Sequence, residues 1–426
     1  MKRRDFVTLS ALTTGAGLLS GFIKPSHQQE PIKHNDPKLD LQENKSISID
    51  ERKNRIAKAQ ELLQQQGLTS LILDAGTSLN YFTGIRWWPS ERTMLAIIPA
   101  SGEVKYVCPA FEEDRFRELI TIGKEVIIWH EDENPFIKIV QVLQDNGLNS
   151  GKIAIEEQTR FFIANGIKNV ADNFEIISGN TVVIPCRQIK SKNEIALMQK
   201  AADITVEAIK YAIRNLREGM TPQDISNLIA KEHQKQGSQH DFTLVTFGEA
   251  SAFPHGTTKP QFLKKGDIVL MDCGCNYKGY CSDITKTIVF GAKPTKRQEY
   301  IWNLELSAQT AGFNAAQIGN TAGSVDDAAR KVIVEAGFGP DYKVPGLPHR
   351  TGHGIGMNGH EYPYIVRGNE TILEEGMCFS IEPTIAIKGE FGIRLEDCVY
   401  MTSNGAQWFS KQSISINEPF EGFKVL

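Results

Sequence analysis

Four acidic residues lie inside segments that otherwise read as buried β-strand, and they restrict the fold more than any other feature of the chain. Asp272 falls at the end of the apolar run DIVLMDC, residues 267–273. Asp283 lies near the start of YCSDITKTIVF, residues 280–290, after a glycine-containing turn at residues 276–279. Glu382 interrupts the apolar stretch 377–387, and Glu396 lies in the stretch 392–400, two residues after Arg394. One such acid is readily explained as an ion-pair partner. Four are not, because like charges on one face repel and raise each other's pKa. If residues 267–273 and 280–290 pair as a hairpin, Asp272 and Asp283 come together on one face. A bound cation removes the cost.

The run LPHRTGHGIGMNGHE, residues 347–361, carries His349, His353 and His360 among four glycines. Its bland alternative is a glycine-rich surface loop with solvated histidines. Beside four strand-embedded carboxylates it reads as a metal- and proton-handling segment, since imidazole is the commonest metal ligand and titrates near neutrality. Four carboxylates balance two divalent cations in charge. A carboxylate-rich set favours harder ions, manganese first, with iron, cobalt and zinc compatible. Two metals about 3.5–4 Å apart lower the pKa of a shared water and polarise a carbonyl, which points to metal-assisted hydrolysis.

The rest of the chain bounds this reading. At 426 residues the prior is two domains. Lysine and arginine are scattered and the net charge is only −4, which argues against nucleic acid as a main partner. Seven cysteines, an odd number without a C-x-x-C pair, do not form a disulfide framework. Cys273, Cys275 and Cys281 read as small buried residues. Residues 1–25 have a basic start and eighteen uncharged residues from Phe6 to Ile23. With Arg3 and Arg4 ahead of Phe6 this segment resembles a twin-arginine export signal, so a periplasmic or other extracytoplasmic location is expected. The alternative is an uncleaved membrane anchor, and no other membrane contact is expected. Residues 26–50 read as a polar linker.

From residue 51 to about 185, helix and strand signals alternate. A helix over 51–66 is stopped by Gly67, and strands are expected at 68–73, 93–98, 104–107, 125–129 and 152–156. Helices at 111–119 and 136–145 fall between them. This is the pattern of an α/β domain. Asn80 to Gly84 with Trp87 and Trp88 reads as core aromatics beside a turn. The boundary is placed near Pro185. Ser191 with Glu194 forms a capping box opening a helix to about Arg217, and Thr221-Pro222 opens another to about Gln236. A second domain then runs over residues 186–426.

The pieces MDCG, SDITKT, GHGIG, SIEP and RLED, with Pro254-His255-Gly256 upstream, resemble the ligand motifs of the pita-bread (M24-type) metallopeptidases. NYFTG and the junction RQIKS, residues 187–191, resemble the creatinase-like N-terminal domain of the proline-specific members. The resemblance implies an α/β (α+β) chain: a creatinase-like domain over 51–185 and a pita-bread catalytic domain over 186–426. It implies Asp272, Asp283, His353, Glu382 and Glu396 as ligands of two divalent metals, with Asp283 and Glu396 bridging. Glu382 would take the proton of the nucleophile. His255 and His360 would hydrogen-bond substrate and the developing oxyanion, His349 would shape the proline side of the pocket, and Arg394 would orient the carboxylates. The implied activity is that of an Xaa-Pro aminopeptidase; the alternatives are a prolidase restricted to dipeptides and a non-catalytic peptide-binding relative. A homodimer or homotetramer is implied as well, with Trp87 and Trp88 near a neighbour's site. Asn358-Gly359 before His360 departs from the aliphatic residues common there.

Overall fold

The computed structural model of the protein describes residues 46–425. The expected export segment, and the linker as far as residue 45, lie outside the described residues. Among the described residues no helix is long and apolar enough to cross a membrane.

The N-terminal half is one mixed sheet between helices. Its strands are β1 (Ser70–Asp74), β2 (Leu95–Pro99), β3 (Lys105–Pro109), β4 (Glu125–Trp129), β5 (Gly151–Ile155) and β6 (Phe174–Ser178). They lie in the order β4-β3-β2-β1-β5-β6, with β1–β2 and β2–β3 antiparallel and the other pairs parallel. Every residue of β1 and β2 is buried, which is why these strands are continuously apolar rather than alternating. The helices are α1 (Ile49–Gln65), α2 (Thr77–Thr83), α3 (Glu113–Leu119), α4 (Pro135–Asp145), α5 (Phe161–Lys168) and α6 (Asn180–Arg187). Helix α1 starts inside the stretch read as linker, because Ser48 accepts the Glu51 amide at 3.1 Å and caps it. The NYFTG segment is the end of α2, closed by Gly84 in a left-handed conformation.

The expected boundary at Pro185 is itself helical, since Pro185 lies within α6. The proline lacks an N–H, and the Thr181 carbonyl four residues earlier accepts instead from Gln66 Nε2 at 3.2 Å. Helix α7 (Lys192–Arg214) carries the Ser191–Glu194 capping box but ends at Arg214, with Asn215 as its cap. Helix α8 (Pro222–Lys235) follows, capped by Thr221.

The C-terminal half contains β7 (Gln239–Phe247), β8 (Ile268–Tyr277), β9 (Tyr280–Cys281), β10 (Ile284–Val289), β11 (Gly352–Gly354), β12 (Glu361–Ile365), β13 (Cys378–Ile381), β14 (Thr384–Ile387), β15 (Phe391–Arg394), β16 (Asp397–Thr402) and β17 (Gly405–Trp408). One sheet runs β10-β8-β7 with β9 on β8, another β12-β11-β13-β16-β17, and β14 pairs with β15 alone. Helices α9 (Lys296–Ala315) and α10 (Ala322–Glu335) pack against each other beside them.

Three expected strands are broken, each at or beside an acid. The stretch 280–290 is interrupted at Ser282-Asp283, 377–387 at Glu382-Pro383, and 392–400 at Leu395-Glu396. Pro383 cannot donate to a ladder, so the chain leaves the β13 sheet there and re-pairs as β14. Its partner makes the same crossing: Ile381 faces Asp397 in one sheet, and Thr384 faces Arg394 in the other. Thr285 and Glu396 exchange backbone hydrogen bonds at 3.2 and 3.1 Å and fasten this crossing to β10.

Candidate metal centre

Asp272 projects from β8 opposite Leu244 of β7. Asp283, Glu382 and Glu396 come from the strand interruptions, where a side chain is free of the pleat's fixed alternation. His353 is the central residue of β11, and the pairing with β12 shifts register immediately after it. The histidine run is therefore a buried strand with its flanking turns, not a surface loop. Gly352 and Gly354 are required by packing, because a Cβ would meet the Ser380 carbonyl at 2.0 Å and the Tyr362 backbone at 2.4 Å.

These side chains converge. His353 Nε2 lies 3.1 Å from Glu382 Oε1 and 3.7 Å from Asp283 Oδ2. Three sets of ligand atoms each fall within 4.8 Å of one another: Asp272, Asp283 and Glu396; His353, Glu382 and Glu396; Asp283, His353 and His360. Glu396 and Asp283 each belong to two of these sets, the placement expected of bridging carboxylates. His353 Nδ1 donates to the Gly354 carbonyl at 3.1 Å, which leaves the Nε2 lone pair facing the acids.

The electrostatics favour a cation. Asp272 Oδ1, Asp283 Oδ1 and Glu396 Oε1 are buried oxygens without a hydrogen-bond partner. Burial raises the pKa of all three groups; neighbouring carboxylates push Asp283 and Glu396 further, whereas Arg394 opposes the rise at Asp272. Burial also pushes Glu382 up, but positive charge on His353 when protonated, together with His349 and Arg394, outweighs it and holds Glu382 at about 2. Unpartnered oxygens, a lone pair aimed at them and shared carboxylates fit two divalent cations, with Asp272, Asp283, His353, Glu382 and Glu396 as the holding residues.

The surrounding groups orient this set. Arg394 Nη2 pairs with Asp272, its Nη1 donates to the Pro254 carbonyl at 3.3 Å, and its Nε donates to Thr285 Oγ1 at 3.1 Å. Thr285 Oγ1 in turn donates to Glu396 Oε2 at 2.7 Å, and Ser380 Oγ donates to Glu382 Oε1 at 3.1 Å. Sequence reasoning missed Thr285 and Ser380, although each is two residues from an acid, at Asp283 and Glu382.

An open cleft of about 370 Å³ gives access, lined by the five candidate ligands, Arg394, His255, His360 and Gly359. Phe242 and Leu244, two apart on β7, supply an apolar wall that the sequence did not reveal. His360 stacks on His353 with ring centroids 3.6 Å apart. Burial, with His353 beside it, lowers its pKa to about 4, and its Nδ1 accepts from Arg350 Nη2 at 3.3 Å. The neutral ring therefore carries its proton on Nε2. His349 is not among the cleft-lining residues: its Nδ1 donates to the Arg350 carbonyl at 2.7 Å and its Nε2 accepts from Thr384 Oγ1 at 3.0 Å. The structure thus brings His255, His353 and His360 to the cleft and leaves His349 behind it, bonded to β14.

Residues 196–403 match metallopeptidase family M24, and residues 55–189 match the creatinase/prolidase N-terminal domain. An uncharacterized peptidase of Schizosaccharomyces pombe is 37% identical over 377 residues, 84% of this chain and 81% of that protein. The chain belongs to metallopeptidase family M24. Among solved structures, dipeptidase PepE of Mycobacterium ulcerans is 31% identical with a TM-score of 0.79, covering 85% of this chain and 96% of that one. A prolidase of Thermococcus sibiricus is 30% identical with a TM-score of 0.77, covering 84% and 97%. Membership confirms the two-domain organisation, a creatinase-like domain followed by a pita-bread domain.

Proposed function

We propose that this M24 peptidase is a two-metal hydrolase of the bond preceding proline, acting on Xaa-Pro dipeptides, with manganese as the preferred metal. The convergence of three unpartnered carboxylate oxygens with His353 at the floor of an open cleft carries the hydrolytic reading. Asp272, Asp283, His353, Glu382 and Glu396 would hold the metals, which would supply a water of lowered pKa and a Lewis acid for the carbonyl. Glu382, oriented by Ser380, is the carboxylate placed to accept the nucleophile's proton. His360 offers an Nε2–H to the developing oxyanion, and His255 stands on the same cleft as a second donor.

The dipeptide preference rests on two supports. The similar solved structures include a dipeptidase and a prolidase. Arg350, its guanidinium over the Tyr364 ring at 4.2 Å and bonded to His360, is a cation beside the cleft. A dipeptide presents its free carboxylate near the scissile bond, whereas a longer peptide does not. Hydrolysis of Xaa-Pro, Xaa-Pro-Xaa and proline-free dipeptides by the manganese-loaded protein tests the reading. Activity confined to Xaa-Pro, with Arg350→Met raising KM about tenfold for it, is expected. Release of the first residue from Xaa-Pro-Xaa at an equal rate would restore the aminopeptidase reading.

A further inference from the structure

His360 reaches the cleft from the turn that leads into β12. The residue after it, Glu361, is anchored elsewhere. Its Oε2 accepts from Arg187 Nη2 at 2.6 Å and its Oε1 from Lys190 Nζ at 2.8 Å. All three side chains are buried, with exposures of 9% for Arg187, 1% for Lys190 and 8% for Glu361. Arg187 is the last residue of α6 and also donates to Ser78 Oγ at 3.1 Å. A second tie runs from α2, where Thr77 Oγ1 donates to Asn358 Oδ1 at 2.6 Å. The turn closes on itself through the Asn358 amide, 3.4 Å from Glu361 Oε2. Gly356 completes the arrangement: a Cβ there would meet Glu361 Oε1 at 2.5 Å and Lys190 Cε at 2.9 Å.

A buried carboxylate between two buried cations is weak evidence for stability, since desolvation offsets much of the attraction. It does fix geometry, because each carboxylate oxygen is held by a charge-assisted hydrogen bond from a different side chain. The ring that it fixes is the one stacked on His353.

We propose that Glu361, clamped by Arg187 and Lys190, is the positioning residue for His360, so that the junction of the two domains sets the geometry of the cleft's oxyanion donor. The clamp rests on the reading of His360 given above. Through it the N-terminal half takes part in turnover without touching substrate, and the Arg187–Lys190 segment acquires a role beyond linking domains.

The test uses the full-length, metal-loaded protein and two variants that perturb the clamp differently. Glu361→Gln removes the charge, and Gly356→Ala keeps every charge but pushes a methyl into the carboxylate. Each is measured alone and combined with His360→Ala. A misplaced catalytic group costs about 10–100-fold. Both single variants are therefore expected to lose about that factor in kcat, with KM within about threefold and metal content unchanged. On the His360→Ala background neither should lose more than about a further twofold, because nothing remains to be positioned. Full kcat in a folded Glu361→Gln or Gly356→Ala protein, or the same loss with and without His360, overturns the clamp. If His360→Ala alone turns over normally, the reading of His360 fails and the clamp fails with it. Additive losses with an impaired His360→Ala overturn the clamp alone.

Discussion

Glu382 and Glu396 stand at matching points where two paired strands leave one sheet for another, bracketed by the pairs Ile381–Asp397 and Thr384–Arg394. A ladder interrupted on both strands at once frees both side chains from the pleat, and each turns toward His353. Two candidate ligands on neighbouring strand segments thus share one defect in the sheet. The neighbouring residues Asp397 and Arg394 are each neutralised from β8 or β10, by Lys286 and Asp272 respectively.

The bridging role proposed for Asp283 predicts that Asp283→Asn removes more than an outer partner would. Loss of an outer-shell hydrogen bond typically lowers metal affinity or activity about 10–100-fold. Thr285→Val, which deletes the 2.7 Å bond to Glu396, should fall in that range. Asp283→Asn should exceed it, with bound metal dropping toward one ion per chain. Metal analysis with kcat measurement checks both, and near-normal turnover in Asp283→Asn would rule out bridging.

Lys286 and Asp397 are fully buried and paired at 2.8 Å, behind the ligands and with Gln309 Nε2 also donating to Asp397 at 3.2 Å. Removing one partner of such a pair leaves an uncompensated charge and costs about 3–5 kcal/mol. Lys286→Met should therefore lower stability by that order in denaturant unfolding. The Lys286→Met, Asp397→Leu double variant should recover much of it. A double variant as unstable as the single one would contradict the assignment.

His233 is fully buried on α8, its Nδ1 3.0 Å from His240 Nδ1 and its Nε2 3.3 Å from Thr205 Oγ1. Burial, with His240 adding to it, lowers its pKa from 6.5 to about 4. The unfolded chain then binds more protons than the folded one between these values, so stability falls as pH drops from about 6.5 towards 4. The effect is on the order of 3 kcal/mol for one such histidine. His233→Gln should flatten this part of the stability–pH curve, measured by denaturant midpoints in the metal-loaded protein. An unchanged slope would show that other groups carry the acid sensitivity.

Much of this was legible before any coordinates. The capping boxes at Ser191 and Thr221, the alternation of the first domain and the five candidate ligands all depend on local pattern, which the chain carries residue by residue. Strand continuity was not legible, because an apolar run looks the same whether it stays in one sheet or changes sheets at Glu382-Pro383. His349 shows a related limit. It sits in the same run as His353 and His360, and only the packing of β14 shows both of its nitrogens occupied. Phe242, Leu244 and Thr285 went unnoticed because nothing local separates them from ordinary strand residues.

The sequence by itself pointed to four carboxylates and a histidine run meeting around positive charge, since burying that much like charge without a counterion is costly. It also located the apolar segments in and beside which those groups lie. Tertiary structure alone decided that His349 bonds to β14 behind the cleft, and that Arg187 and Lys190 reach across to the neighbour of His360. Those are distances between residues far apart in the chain, set by how two sheets and a domain junction pack, and no local pattern encodes them.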